Sequence, residues 1–277
     1  MMMKKKVLAV FTCFNRKEKT LFCIKSLKDM NPGLDLDFIA VDDGSTDGTG
    51  EVLEQLEFVT VLHGQGNLYY TGGMREGMKY AREHGARYDY VLLLNDDVVF
   101  YPNAIETMAK ELSDDESRVL VGAACGSDGK LSYGGVKKRS RFRPSFEIVM
   151  AEGKREFCDT FNGNCVLLPW KVFMEAPVMD GHFRHSLGDF AYGLTLKKMG
   201  YVIEAVDFFV GVCDDNPAEG TWRDPEIPRR KRIQMKEAPK GMPAGEWFYF
   251  VKTYFGLASA CIYTVLPYVK IILRRPT

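Results

Sequence analysis

Apolar residues in the first half of the chain fall into two alternating rhythms. Short runs at Val7–Thr12, Phe38–Val41, Phe58–Leu62 and Tyr90–Leu94 have the length of buried strands, and polar or glycine-containing segments bound them. Between the runs the spacing turns helical. Leu21, Ile24 and Leu27 recur within Glu18–Asp29, and Thr46 or Asp47 can cap a short helix running through Leu56. A loop punctuated by glycine, Gly64–Gly73, leads into a helix through about Arg82, and Pro102 suits the first turn of a helix ending near Leu112. Strand–helix alternation of this kind predicts an α/β fold, a Rossmann-like, mostly parallel sheet with helices on both faces.

The second half changes character. Val119–Ala124 reads as a strand, and Gly126–Gly135 with Lys137–Arg143 suggests hairpins or a flap. Asn162-Gly163-Asn164 precedes the apolar Cys165–Leu168, and Pro169-Trp170 opens a short helix to about Glu175. A helical pattern follows from Phe190 to Met199, then a last strand at Tyr201–Val206. From Asp214 the composition shifts to Pro, Arg and Lys, the mark of a C-terminal helical tail. The predicted division is one domain over 1–212, with halves at 1–118 and 119–212, and a tail over 213–277.

Composition narrows the field. With 46% hydrophobic residues in 277, the chain can bury a full core without staples. Lys and Arg (37) balance Asp and Glu (37), so nothing in the charge suits a nucleic-acid partner. The seven cysteines are scattered and form no CxxC pair. That spacing indicates neither a zinc site nor a disulfide framework and fits a reducing, cytoplasmic setting. The run after Lys4-Lys5-Lys6 is too short for a signal-peptide core, and no segment reaches the roughly 20 apolar residues of a spanning helix.

The tail holds one amphipathic pattern. Trp247, Val251, Tyr254, Ala258, Cys261, Val265 and Val269 recur at helical spacing, and Thr253–Val269 is free of charge between Lys252 and Lys270. With Arg274-Arg275 and the basic Arg229–Arg232, this suits an interfacial helix on the inner face of a membrane. A helix docked on the domain and a contact in a homodimer fit the same pattern.

Three polar clusters follow predicted strands: Thr12–Arg16, Asp42–Ser45 and Asn95–Asp97. In open α/β sheets the ligand binds outside the carboxyl ends of the strands, so all three converge on one crevice. Each alone reads equally as turn and cap chemistry.

Taken in order, Thr12-Cys13-Phe14-Asn15-Arg16, Val41–Asp47, Asn67–Arg75, Leu94–Asp97 and Gly188-Asp189 resemble the family-2 glycosyltransferases of the GT-A fold. Asn67–Gly77 with the Asn-Asp-Asp turn looks most like the bacterial rhamnosyltransferase-type branch, which builds surface polysaccharides. The resemblance implies an inverting transfer from a UDP- or dTDP-linked sugar to a hydroxyl of a saccharide or lipid-linked acceptor. It also implies a divalent cation, Mg²⁺ or Mn²⁺, to screen the diphosphate leaving group.

By position, Asp97 binds the cation, while Asn95 and Asp96 face the ribose or donor sugar. Asp42 meets the base, Thr12 and Asn15 line its pocket, and Asp43 is the structural member of the pair. Arg16 and Arg75 are candidates for the diphosphate. Gly72-Gly73 lets the backbone approach the donor. Asn164 forms part of the acceptor wall, and His182 and His185 sit on the loop before Asp189. Asp189 is the general base, and its alternative is a helix N-cap.

The family's late metal-binding histidine is missing from Gly211–Asp215, so either Asp214 substitutes or that ligand is absent. Two other readings remain. A sugar-phosphate nucleotidyltransferase lacks its glycine-rich phosphate loop here, and a non-catalytic sugar-binding protein with a decayed site is suggested by Asn95 and the missing histidine.

Overall fold

The computed structural model describes residues 4–85, 87–113, 115–153, 156–215 and 219–273, so Arg274 and Arg275 of the basic tail lie outside it. In chain order the first half runs β1 (Lys5–Cys13), α1 (Lys17–Met30), β2 (Leu34–Asp42), α2 (Thr49–Leu53), β3 (Val59–His63), α3 (Tyr69–His84), β4 (Tyr90–Leu94), β5 (Val99–Phe100) and α4 (Ala104–Glu111). The second half adds β6 (Arg118–Cys125), β7 (Leu131–Tyr133), β8 (Gly135–Lys138), β9 (Phe146–Val149), β10 (Glu156–Phe157), β11 (Thr160–Phe161) and β12 (Cys165–Pro169). Then come α5 (Trp170–Glu175), α6 (Gly188–Lys198), β13 (Val202–Val212), α7 (Arg229–Glu237), α8 (Ala244–Phe255) and α9 (Leu257–Leu273).

The main sheet has the order β10-β13-β6-β12-β4-β1-β2-β3, with β5 on β13 and β7 on β6. β3, β2, β1 and β4 are parallel, as the alternation requires. β12 enters antiparallel between β4 and β6, while β13 lies parallel to β6. Residues of β13 continue past the predicted Val206 to Val212, carrying the chain up to the carboxyl edge of β4. β8, β9 and β11 make a separate antiparallel sheet beside it, the hairpins foreseen for that stretch.

The central strands are buried because helices cover both faces, whereas the edge strand β3 stays partly exposed. Ile24, Leu27, Ile105 and Met108 pack with Val7, Phe11 and Leu92 on one face. Met74, Met78, Val172, Phe173 and Tyr192 pack with Val10, Val91 and Leu93 on the other. A third cluster joins Phe183, Ala191 and Leu194 to Phe250, Val251, Phe255 and Ala260, so α8 is docked on α6. The single helical stripe predicted across Trp247–Val269 is therefore two helices. Gly256 takes φ of 91° between them, a backbone turn that a side chain resists.

A second correction concerns Gly72-Gly73. α3 begins at Tyr69, so both glycines lie inside its first two turns rather than in a loop. A Cβ on Gly73 would collide with the Thr12 side chain, and one on Gly77 would stand 2.8 Å from Val10 Cγ1. These glycines let α3 lie flat on β1. Backbone packing, not approach to a ligand, explains Gly73.

Candidate active site

The carboxyl ends of β1, β2 and β4 come together as the pattern implied, and side-chain bonds lace their loops. Asn15, at φ of 52°, takes Thr46 N–H on its Oδ1 at 2.7 Å, and its own N–H goes to Ser45 Oγ at 2.9 Å. Ser45 in turn donates its N–H to Asp42 Oδ1 at 3.1 Å. Thr12 gives its hydroxyl to Val41 O. Asp42 and Asp43 are both buried. Asp43 accepts four main-chain N–H groups, from Gly66, Asn67, Leu68 and Tyr69, at 2.9–3.1 Å. Such a carboxylate organises a whole loop and the start of α3, which is the structural role expected of it.

Arg16 closes the other side. Its guanidinium lies 3.1 Å from Asp96 Oδ1 and 2.9 Å from Asp97 Oδ2. Asp96 is buried, takes the Thr20 hydroxyl on its second oxygen, and titrates above the usual carboxylate range because of that burial. Asp97 remains part-exposed at the end of a rigid strand. The Arg16 guanidinium therefore already supplies one positive charge beside Asp97. Asn95 donates its N–H to Asn164 O at 3.3 Å, and its own Oδ1 is buried with no partner.

The second half supplies the opposing wall. β12 follows the turn Asn162-Gly163-Asn164, and that turn contacts Asp189 directly and Asp97 through Cys213. Gly163 N–H donates to Asp189 Oδ2 at 3.0 Å. Asn164 Nδ2 donates to Cys213 Sγ at 3.4 Å, and the Cys213 thiol donates to Asp97 Oδ1 at 3.5 Å. Asp97 and Asp189 are thus tied to neighbouring residues of a single turn, Asp189 directly through Gly163 and Asp97 by way of Cys213 and Asn164.

Asp189 is not the N-cap of α6. That place belongs to Leu187 at φ of 68°, and the helix starts at Gly188, two residues before the predicted Phe190. Gly188 has no Cβ to strike Thr71, so the helix end can press against α3. The Asp189 carboxyl sits half-buried in the first turn, with Phe190 N–H on Oδ1 at 2.8 Å. Burial raises its pKa to about 6, against the lowering effect of the Gly163 and Phe190 N–H bonds. A carboxylate so poised is ionised at neutral pH yet basic enough to accept a proton. Tyr70 donates its hydroxyl to Gly163 O at 3.4 Å, and burial plus the Asp189 charge keeps that phenol protonated.

Four predicted residues make contacts other than those expected. Arg75 directs its guanidinium to the carbonyls of Asp180 and Phe183, both at 3.4 Å, so it braces the loop before Asp189 rather than waiting for a diphosphate. Asp214 accepts Ser127 N–H at 2.6 Å on an exposed turn, whereas the neighbouring Cys213 is the residue beside Asp97. His182 stacks on Tyr249 at 3.8 Å. His185 lies edge-on to Tyr69 with a buried Nδ1 that has no partner, and burial, with Lys240 and Arg16 nearby, holds its pKa at about 4. Cys213 and Tyr70 went unrecognised in the sequence, although Cys213 stands inside the stretch searched for a late ligand.

Among the described residues no three His, Cys, Asp or Glu side chains gather into a preformed metal cage. The donors at hand are one carboxylate, a buried thiol and an orphaned amide oxygen. That sparse set fits a cation that arrives with a diphosphate and completes its shell with waters. At the opposite, amino-terminal edge of the strands, a cavity of about 320 Å³ is lined by Lys5, Asp89, Tyr90 and Trp170. It holds none of these groups.

The family described as Glycosyl transferase family 2 matches residues 9–168. No curated protein sequence matches the chain. Among solved structures it is similar to the mannosyltransferase PcManGT from Pyrobaculum calidifontis in complex with GDP-Man and Mn²⁺. The TM-score is 0.56 and the identity 11%, over 98% of this chain and 75% of that one. It is also similar to GalNAc-T7 with UDP, GalNAc and Mn²⁺, at a TM-score of 0.60 and 10% identity over 96% of this chain. The chain spans 55% of the length of GalNAc-T7.

Proposed function

This chain belongs to glycosyl transferase family 2 and is a glycosyltransferase, and we propose that it transfers a sugar, with inversion, from a UDP- or dTDP-linked donor to a hydroxyl of a saccharide or lipid-linked acceptor. The observation that supports this is the hydrogen-bonded link from Asp97 through Cys213, Asn164 and Gly163 to Asp189. Residues 1–118 form the nucleotide half, 119–212 the acceptor half, and 213–277 a tail that braces it. Asp42 and the Asn15 loop line the base side, while Asn95 and Asp96 face ribose or sugar. Asp189 takes the proton of the acceptor hydroxyl as its oxygen attacks from the face opposite the diphosphate. Asp97 holds the divalent cation, which when bound stabilises the charge that gathers on the leaving diphosphate. Arg16, already paired with Asp97, is free to swing to a phosphate when that cation arrives. The product class is a surface polysaccharide of the rhamnosyltransferase type.

Thermal unfolding against a panel of nucleotide-sugars, with and without Mn²⁺, tests the donor side. At about 100 times its Kd the true donor adds roughly 3 kcal/mol and raises Tm by about 5 °C or more, with Mn²⁺ required. If no pyrimidine nucleotide-sugar shifts Tm, the donor assignment fails.

A membrane surface is the second partner. Ala258, Cys261, Ile262, Val265, Val269 and Ile272 line one face of α9, and Ile262, Val265 and Ile272 are more than half exposed. No helix among the described residues is long and apolar enough to cross a bilayer. Exposed Arg229, Arg230 and Lys231 on α7, which packs against α9, add attraction to anionic headgroups. The protein would then lie on the inner face of the cell membrane. Co-sedimentation with vesicles rich in phosphatidylserine is expected, and I262E with V265E should weaken it by at least about tenfold. A concentration-dependent dimer that buries this face, without vesicle binding, would replace the membrane by a second copy.

A further inference from the structure

We propose that Cys213 is itself a ligand of the divalent cation, beside Asp97, and that it tunes the site toward softer metals than Mg²⁺. This rests on the reading of Asp97 as a cation-holding residue. It departs from the expectation that Asp214 fills the late-ligand position.

The placement of Cys213 is built rather than incidental. Its main-chain N–H goes to Cys125 O at 2.9 Å, and its carbonyl accepts the Ser132 hydroxyl at 2.7 Å, so β6 and β7 fix the residue from two sides. Asn164 Nδ2 aims the sulfur from a third. Other buried thiols, those of Cys23, Cys125 and Cys158, are given to main-chain carbonyls, the ordinary fate of a core cysteine. That of Cys213 is given to the one acid assigned to the cation. The two oxygens of Asp97 are divided accordingly: Oδ2 faces the Arg16 guanidinium, and Oδ1 faces the sulfur.

The separation also fits. With metal–oxygen bonds of about 2.1 Å and metal–sulfur bonds of about 2.3 Å, two neighbouring ligands on one ion stand about 3.1–3.6 Å apart. Sγ and Oδ1 are 3.5 Å apart. On binding a cation Cys213 would release its Sγ–H proton to solvent, and its thiolate would join the Asp97 carboxylate in holding the ion. The buried and unpartnered Asn95 Oδ1, two residues before Asp97, is a further donor within the same turn. Oxygen ligands alone suit Mg²⁺ and Mn²⁺, whereas a thiolate shifts preference toward Zn²⁺, Co²⁺ or Cd²⁺.

The test uses the full chain in a Cys261→Ser background, which removes the exposed thiol. Co²⁺ is added with inorganic pyrophosphate, and the absorption spectrum is read. A thiolate-to-cobalt charge-transfer band in the near ultraviolet is expected, together with the visible bands of bound cobalt. In Cys213→Ser the charge-transfer band should vanish while the visible bands stay, and Cd²⁺ affinity should fall by at least about tenfold with Mg²⁺ affinity changed only about twofold. Visible bands without the near-ultraviolet band in the parent protein, or a band that survives Cys213→Ser, would overturn the proposal and leave Asp97 in place. Should the parent bind no cobalt, or bind it unchanged in Asp97→Ala, the cation reading of Asp97 fails and takes this proposal with it.

Discussion

Asp189→Asn is expected to lower kcat by about 10²–10⁴-fold while the affinity for the donor stays within about twofold. The amide matches the shape of the carboxyl and can still accept one of the two N–H groups, from Gly163 or Phe190, that hold it. What it cannot do is take the proton of the attacking hydroxyl. The loss should therefore fall on turnover and not on binding, with Tm measured alongside to show that the fold persists. Burial sets the pH response too. The base works only when ionised and its pKa is about 6, so the rate should fall tenfold per pH step below about 6 and level off above it. An activity unchanged in Asp189→Asn, or a rate flat from about pH 8 to 5, would remove Asp189 from the chemistry.

Asp97→Ala is expected to lower kcat/KM by about 10³-fold and to abolish the Mn²⁺ requirement for donor binding. The substitution removes the carboxylate shared by Arg16 and Cys213, while Asp96 keeps its bonds to Arg16 and Thr20. The strand end should stay in place, so the effect reports the cation and not a collapsed turn. Melting curves with donor and Mn²⁺ read it directly. Full turnover with an intact metal response would place the cation elsewhere.

The parallel half of the sheet was legible because its cause is local. A run such as Tyr90–Leu94 is buried on both faces and therefore apolar at every position, and the polar groups that follow it must stand at the strand's exit. The same logic marked Asp42, Asp96 and Asp97. Contacts between distant residues were another matter. Gly73 looked like a ligand loop because sequence shows that a glycine is present, not that Thr12 occupies the space a Cβ would need. Arg75 read as a diphosphate candidate for want of any sign that the carbonyls of Asp180 and Phe183 lie above it.

The neighbour of Asp97 was hidden for a related reason. A search by residue type passed over Cys213 in favour of Asp214, since carboxylates are the commoner partners of hard cations. Only the approach of β13 to the end of β4 reveals which of the two side chains faces Asp97. The C-terminal stripe was half legible. Its period was right, but Gly256 divides it into a docked helix and an outward-facing one.

The docked helix carries a consequence for how such enzymes diversify. Glu246 on α8 pairs with Arg184 at 2.9 Å, and Tyr249 gives its hydroxyl to Asp180 at 3.0 Å, so α8 grips the segment that leads to Asp189. On the proposed roles, the shape of the surface met by an incoming alcohol would be written about sixty residues downstream of Asp189, in α8. Exchanging that stretch between relatives would redirect which hydroxyl is glycosylated while the activated sugar stays the same, a division of inheritance that lets new linkages arise without rebuilding the donor pocket.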